Sequence, residues 1–134
     1  MLKEKIKIGQ KVKWFFLTSP PLDEINHVIC GGPNLVTNYC LDISAEEEKF
    51  KKDVAKSRAP RTAAGITEDG NLVFVVIGKN SGQESTLLDL AKLMKSLGCK
   101  DAMNLDGGGS STMVVNGVTL NKGAGRPVSN AIVI

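Results

Sequence analysis

Three glycines in a row follow an acid in "NLDGGGSST", residues 104–112. Glycine loses more backbone entropy on folding than any other residue, so a triplet inside an apolar stretch needs a compensating reason. Either the chain bends too tightly there for a Cβ, or a ligand lies against bare backbone. Gly107, Gly108 and Gly109 would expose successive N–H groups, a nest that holds an anion or lets a sugar rest on the main chain. A tight bend alone needs one or two glycines. Asp106 before the triplet, with Ser110 and Ser111 after it, therefore favours a site. No Lys-Ser or Lys-Thr follows, so this is not a Walker phosphate loop.

The rest of the chain supplies a framework of hairpins. "KIKIGQKVKWFFL" alternates apolar and basic residues, the pattern of a strand with one solvated face, and Pro20 and Pro21 end it. "HVICGGPNLVTN" predicts two short strands joined by a turn at 31–33. Residues 45–56 predict a surface helix: Ser44 with Glu47 fits a capping box, and Glu47–Lys51 and Glu48–Lys52 are i,i+4 pairs. "RTAAGITEDGNLVFVVIG" is a hairpin turning at Asp69-Gly70, and the unbroken apolar run Leu72 to Ile77 is of central-strand type. The strongest helix pattern spans about 86–97, with Leu87, Leu90, Ala91 and Met94 on one stripe, a Thr86–Asp89 capping box, and Gly98 as the stop. Asn116-Gly117 marks a second two-residue hairpin turn, and "PVSNAIVI" a last strand. Strands outnumber helices and hairpins dominate. The class is α+β, a mostly antiparallel or mixed β-sheet packed against one main helix.

With 134 residues, 42% of them apolar and 23% charged, one domain over 1–134 is expected. Aromatic residues are 4% and the lysines alternate with acids or apolar residues, so the net charge of +3 predicts a solvated face and no nucleic-acid partner. No apolar stretch is long enough to span a bilayer, and "MLKEKIKIGQ" lacks the apolar core of a signal peptide. Cys30, Cys40 and Cys99 show no CxxC spacing and His27 is the sole imidazole, which argues against zinc. Free thiols are expected, with Cys30 to Cys40 the disulfide that remains open. His27 reads as structural.

Arg61 and Thr62 open one core strand, and Arg126 precedes the last. A guanidinium fork matches phosphate geometry, so the pair suggests anion recognition as readily as it suggests two surface residues. Asp106 can cap local amides through an Asx-type bond, which is compatible with a reactive role. Ser110 and Ser111 lack a His–Asp partnership, which weakens a serine-hydrolase reading. Asp106 and Asp101 could contribute to a divalent cation, but no ligand spacing demands one, and no cofactor is expected.

Together these pieces resemble the phosphodiester glycosidases. "GGPNLV" (31–36), "RTAAGIT" (61–67), "SGQESTLLDLAKLMKSLGC" (81–99), "DAMNLDGGGSSTMVVNG" (101–117) and "GRPVSNAIVI" (125–134) follow the order of that family's blocks. The family's upstream Asn-x-Gly-x-Phe type segment is absent, so the chain resembles the C-terminal half to two-thirds of the domain. Pairing with a separate N-terminal half, or a homo-oligomer, is then expected. The resemblance implies a sugar-1-phosphodiester or phosphorylated glycan as ligand. It implies cleavage between the anomeric carbon and phosphate, with Asp106 and Arg61 catalytic. Thr62, Asn104, Gly107, Gly108, Gly109, Ser110 and Arg126 would bind substrate. The family is often extracytoplasmic; the chain itself leaves the compartment unknown. The alternative is a non-catalytic module binding phosphorylated glycan or cell-wall polymer.

Overall fold

A computed structural model of the chain describes residues 6–19, 21–78, 84–121 and 127–134. Five strands form one antiparallel sheet: β1 (Asn34–Thr37), β2 (Cys40–Leu41), β3 (Arg61–Thr67), β4 (Leu72–Ile77) and β5 (Cys99–Asn104), in the order β2-β1-β5-β3-β4. A short helix α1 (Lys52–Lys56) precedes β3, and the main helix α2 (Leu87–Ser96) joins β4 to β5. A separate two-stranded ribbon, β6 (Val114–Val115) and β7 (Val118–Thr119), follows. The α+β class is as the sequence predicts.

The main helix forms where its pattern places it. Thr86 Oγ1 accepts from the Asp89 amide and the Asp89 side chain accepts from the Thr86 amide, so both halves of the capping box are made. Gly98, at φ +82°, takes the left-handed conformation that stops the helix. Leu87, Leu90, Ala91 and Met94 bury one stripe against Leu35, Val36, Ala63 and Cys99. The helix comes so close to the sheet that a Cβ at Gly65 would lie 2.7 Å from Cys99 Sγ and 2.8 Å from Met94 Cε. Gly65 is thus a packing glycine.

The β3–β4 hairpin turns over Thr67–Asn71 with Gly70 at φ +79°, and β6–β7 turns at Asn116-Gly117, both at positive φ. Both turns are as expected.

Five elements differ from the sequence pattern. The alternating N-terminal run lies outside every ladder among the described residues. Trp14, Phe15 and Phe16 are exposed, with Trp14 and Phe16 in edge-to-face contact at 5.3 Å. Alternation sets a face, but a strand also needs a neighbour to bond. Residues 127–134 likewise form no strand. One strand replaces the two expected in 27–38, and at Gly31 the chain passes so close to β5 that a Cβ would meet Met103 Sδ at 2.7 Å. Over 45–49 the chain turns, and helix remains at Lys52–Lys56 alone. Ser44 donates to Glu48, and both accept from the Asn34 amide, so the residue expected to cap the helix and the one expected to pair with Lys52 are drawn to β1. Finally, β4 is an edge strand, and β5 and β3 are interior. An apolar run reports burial, and burial of Val73, Val75 and Ile77 against the core needs one covered face.

All three cysteines are free thiols. Cys30 and Cys40 are exposed, whereas burial in the core pushes the Cys99 thiol pKa up.

Candidate functional site

The site grows from the register of two strands. β3 and β5 pair Ala63 with Asn104, and the pairing continues past the strand end. The Leu105 amide donates to Thr62 O at 2.8 Å, and the Gly108 amide to Pro60 O at 2.8 Å. Asp106 and Gly107 are thereby laid alongside Arg61. A Cβ on Gly107 would come 3.0 Å from Pro60 O and 3.8 Å from Arg61 Cα, so the close approach favours glycine. Gly108 stands at φ +58° and opens a 3-10 turn, Gly108–Ser110. Two of the three glycines thus have a backbone reason independent of any ligand.

The amides of this turn are mostly spoken for. Gly107 donates to Asp106 Oδ1 at 2.9 Å, Ser110 to Gly107 O at 3.1 Å and Ser111 to Gly108 O at 3.3 Å. Of the three amides expected to cradle phosphate, those of Gly107 and Gly108 already have partners. The Asp106 carboxylate is exposed and fixed by its own Asx-type bond.

Arg61 sits at the same strand end but faces the other way. It is 4% exposed, and its guanidinium donates to three carbonyls: Nε to Ser85 O at 3.2 Å, and Nη2 to Val54 O at 2.9 Å and Ser57 O at 2.7 Å. Burial lowers its pKa from the ordinary arginine value, yet a guanidinium keeps its charge at neutral pH. No ion pair joins it to Asp106. Arg61 therefore braces α1 and the segment before α2 against β3, beneath the site.

Thr62, one residue on, points to the opposite side and donates from Oγ1 to Ser111 Oγ at 3.1 Å. Asn104, 6% exposed, donates from Nδ2 to Gly32 O and Leu105 O, both at 2.9 Å, while its Oδ1 is buried with no partner among the described residues. Ser110 is half-buried in the 3-10 turn. Arg126 lies outside the described residues. Asp101 and Asp106 do not meet. Asp101 Oδ1 accepts from the Asn38 amide at 3.0 Å at the far end of β5, five residues away, roughly 16 Å along an extended chain.

Two further contributors are Ser111, from the glycine motif, and Asn121, which carries no sequence motif. Ser111 is fully buried behind the turn, and Asn121 is buried after the β6–β7 ribbon. Asn121 Oδ1 accepts from the Met113 amide at 2.7 Å and its Nδ2 donates to Ser111 O at 2.6 Å. A polar residue ending the apolar run of β7, opposite the start of β6, is the signal that could have marked it.

The fold is an α+β sheet with an exposed carboxylate at the lip of a glycine turn, beside two interior strands. Comparison with known proteins narrows the class. The family model for phosphodiester glycosidases matches residues 4–134, and the chain belongs to that family. It is 42% identical over 64 residues to the SPbeta prophage-derived protein YomE of Bacillus subtilis (strain 168), covering 46% of this chain and 10% of that protein. It is 36% identical over 77 residues to the mouse N-acetylglucosamine-1-phosphodiester alpha-N-acetylglucosaminidase, covering 57% of this chain and 15% of the enzyme. Among solved structures, a hypothetical protein from Synechocystis superposes at TM-score 0.62 with 29% identity, covering 69% of this chain and 17% of that one. The zebrafish N-acetylglucosamine-1-phosphodiester alpha-N-acetylglucosaminidase catalytic domain, auto-inhibited by its pro-peptide, superposes at 0.60 with 27% identity, covering 72% and 34%. The chain thus spans between 10% and 34% of the length of these relatives.

Proposed function

We propose that the chain hydrolyses sugar-1-phosphodiesters, breaking the bond between the anomeric carbon and the phosphate oxygen. The observation that carries this reading is the Asp106 carboxylate, exposed and held by the Gly107 amide at the lip of the glycine turn, in a member of the phosphodiester glycosidase family. A phosphate monoester leaves as a stable anion, so little general-acid help is needed, and a carboxylate near the anomeric carbon is the main requirement. The anomeric C–O bond breaks with its electron pair going to the phosphate oxygen. A new C–O bond forms to water, either directly with Asp106 taking the proton or after Asp106 has bonded to carbon.

The other residues take roles that fit their surroundings. Asn104 Oδ1, a buried acceptor without a partner among the described residues, suits a sugar hydroxyl donor, since leaving it unmet costs about 1–3 kcal/mol. Thr62 and Ser110 offer hydroxyls beside the turn, and Gly109 its backbone. Arg126 is the guanidinium we assign to the phosphate. Arg61, bonded to carbonyls, acts through position.

Incubation with UDP-N-acetylglucosamine in ¹⁸O-labelled water tests the reading. Release of N-acetylglucosamine carrying the label at the anomeric carbon is expected. Label in the phosphate means P–O cleavage and overturns it. Tight binding with no release would favour the glycan-binding module instead.

A further inference from the structure

The glycine turn is fastened at both ends, and its far fastening depends on a residue from beyond the next hairpin. Its near end is set by the Gly108 amide on Pro60 O. Its far end is Ser111, which is held in three ways. Its amide donates to Gly108 O at 3.3 Å, its hydroxyl accepts from Thr62 Oγ1 at 3.1 Å, and its carbonyl accepts from Asn121 Nδ2 at 2.6 Å. Asn121 in turn is fixed by the Met113 amide at 2.7 Å. One buried carboxamide therefore clamps the chain on either side of Thr112, so the strand leaving the turn cannot drift. Gly78, at the end of β4, completes the socket: a Cβ there would come 2.9 Å from Asn121 Cβ, too near for both to keep their places.

We infer that Asn121 is a positioning residue of this site, which through Ser111 fixes the 3-10 turn and with it the direction in which Asp106 is presented. The inference rests on the reading of Asp106 as the reacting carboxylate. Both faces of the ribbon that delivers Asn121 are exposed: Val114, Val115 and Val118 all face solvent, so apolar packing does not hold it. The two carboxamide bonds close its root, beside the bond that the Leu120 amide donates to Met113 O at 2.9 Å. A buried group satisfied on both its donor and acceptor sides specifies one arrangement far better than packing of a short ribbon would.

Asn121→Asp keeps the shape and the acceptor for Met113 but sets a carboxyl oxygen against Ser111 O. With UDP-N-acetylglucosamine as probe, kcat should fall about 10- to 100-fold, the scale of a displacement on the order of 1 Å. KM should stay within about threefold, because binding of the bulk of the substrate is untouched. Amide hydrogen exchange gives a second readout: Gly108 and Ser111 should exchange faster while Leu90 and Leu97 of the helix hold their rates. Exchange that rises throughout, or kcat unchanged alongside a loosened turn, overturns the inference. Gly78→Ala crowds Asn121 without altering its amide and should produce the same pattern more weakly, which keeps the test open if Asn121→Asp fails to fold. Should the wild-type chain release no sugar from this probe, the proposed reaction fails. The exchange pattern alone then decides whether Asn121 fixes the turn.

Discussion

The two ends of β3 and β5 are tied in opposite ways. At the Thr67–Cys99 end, exposed charged and polar side chains meet one another. The Tyr39 hydroxyl donates to the Glu68 carboxylate, Lys100 Nζ lies 3.6 Å from Glu68, and Asp101 accepts from the Asn38 amide. At the Arg61–Asn104 end, buried side chains donate almost wholly to backbone carbonyls: Arg61 to three of them and Asn104 to two. Exposed ion pairs are screened and contribute little, whereas bonds away from water are stronger and dearer to lose. At the second end Arg61 is taken up in holding backbone, while the exposed Asp106 carboxylate accepts from the Gly107 amide.

Substitutions that sharpen this contrast should rank in size. Arg61→Ala is expected to be the largest, lowering stability by about 3 kcal/mol as the carbonyls of Val54, Ser57 and Ser85 lose their buried charged donor. Arg61→Lys should recover a minor part, since one ammonium cannot span the fork. Denaturant unfolding reads both, and a loss under about 1 kcal/mol for the alanine variant would break the contrast.

A pair of glycines comes next. Gly107→Ala places a Cβ 3.0 Å from Pro60 O, which as backbone must shift with its segment, and should cost about 1–3 kcal/mol and most of the sugar release. Gly70→Ala, at the turn of the opposite end, meets nothing within 4 Å but is held at φ +79°. It should cost about 1–2 kcal/mol from the left-handed backbone alone and leave release intact. Equal effects on release would mean that the two ends are not functionally distinct.

The smallest effects belong to the exposed cluster and appear as pH dependence. Hydrogen bonding to Glu68 is the main cause that pushes Tyr39 up to about 12 from its ordinary 10.0, with burial and nearby carboxylates adding to it. A raised tyrosine pKa favours the protonated, folded form, so its contribution is full below pH 10 and disappears as pH rises towards 12. Glu68 is held low, first by the bond from Tyr39 and then by Lys100. Its contribution is present above the ordinary glutamate pKa, about 4.3, and lost as pH falls below it. Tyr39→Phe should flatten both limbs of an unfolding-midpoint profile against pH. An unaltered profile would remove the cluster from the account.

What the sequence makes legible is what is decided locally. The Thr86–Asp89 box, the Leu87–Met94 stripe, Asp69-Gly70 and Asn116-Gly117 each act within a few residues, and each forms as its pattern predicts. The glycine triplet is legible as a place where backbone comes close, and Gly107 shows why. What is hidden is set by partners far along the chain. The fate of Ser44 and Glu48 is decided by the Asn34 amide, and the orientation of Arg61 by three carbonyls from two other segments. A strand-opening arginine looks the same in sequence whether it faces a phosphate or props up a helix. The edge placement of β4 is hidden for a related reason: an apolar run records how much is buried, and not how many neighbours bond to it. Asn121 is the extreme case, a single side chain whose meaning depends on where a hairpin returns.

The central claim, that the supported carboxylate of Asp106 reacts, is tested most directly by Asp106→Asn assayed with UDP-N-acetylglucosamine in parallel with wild type. The substitution keeps the shape and an oxygen to accept the Gly107 amide. Expected are an unfolding midpoint close to wild type, retained binding of the probe, and sugar release lower by about 100-fold or more, the scale of a lost general base. Release within a few-fold of wild type, from a protein equally folded, would contradict it.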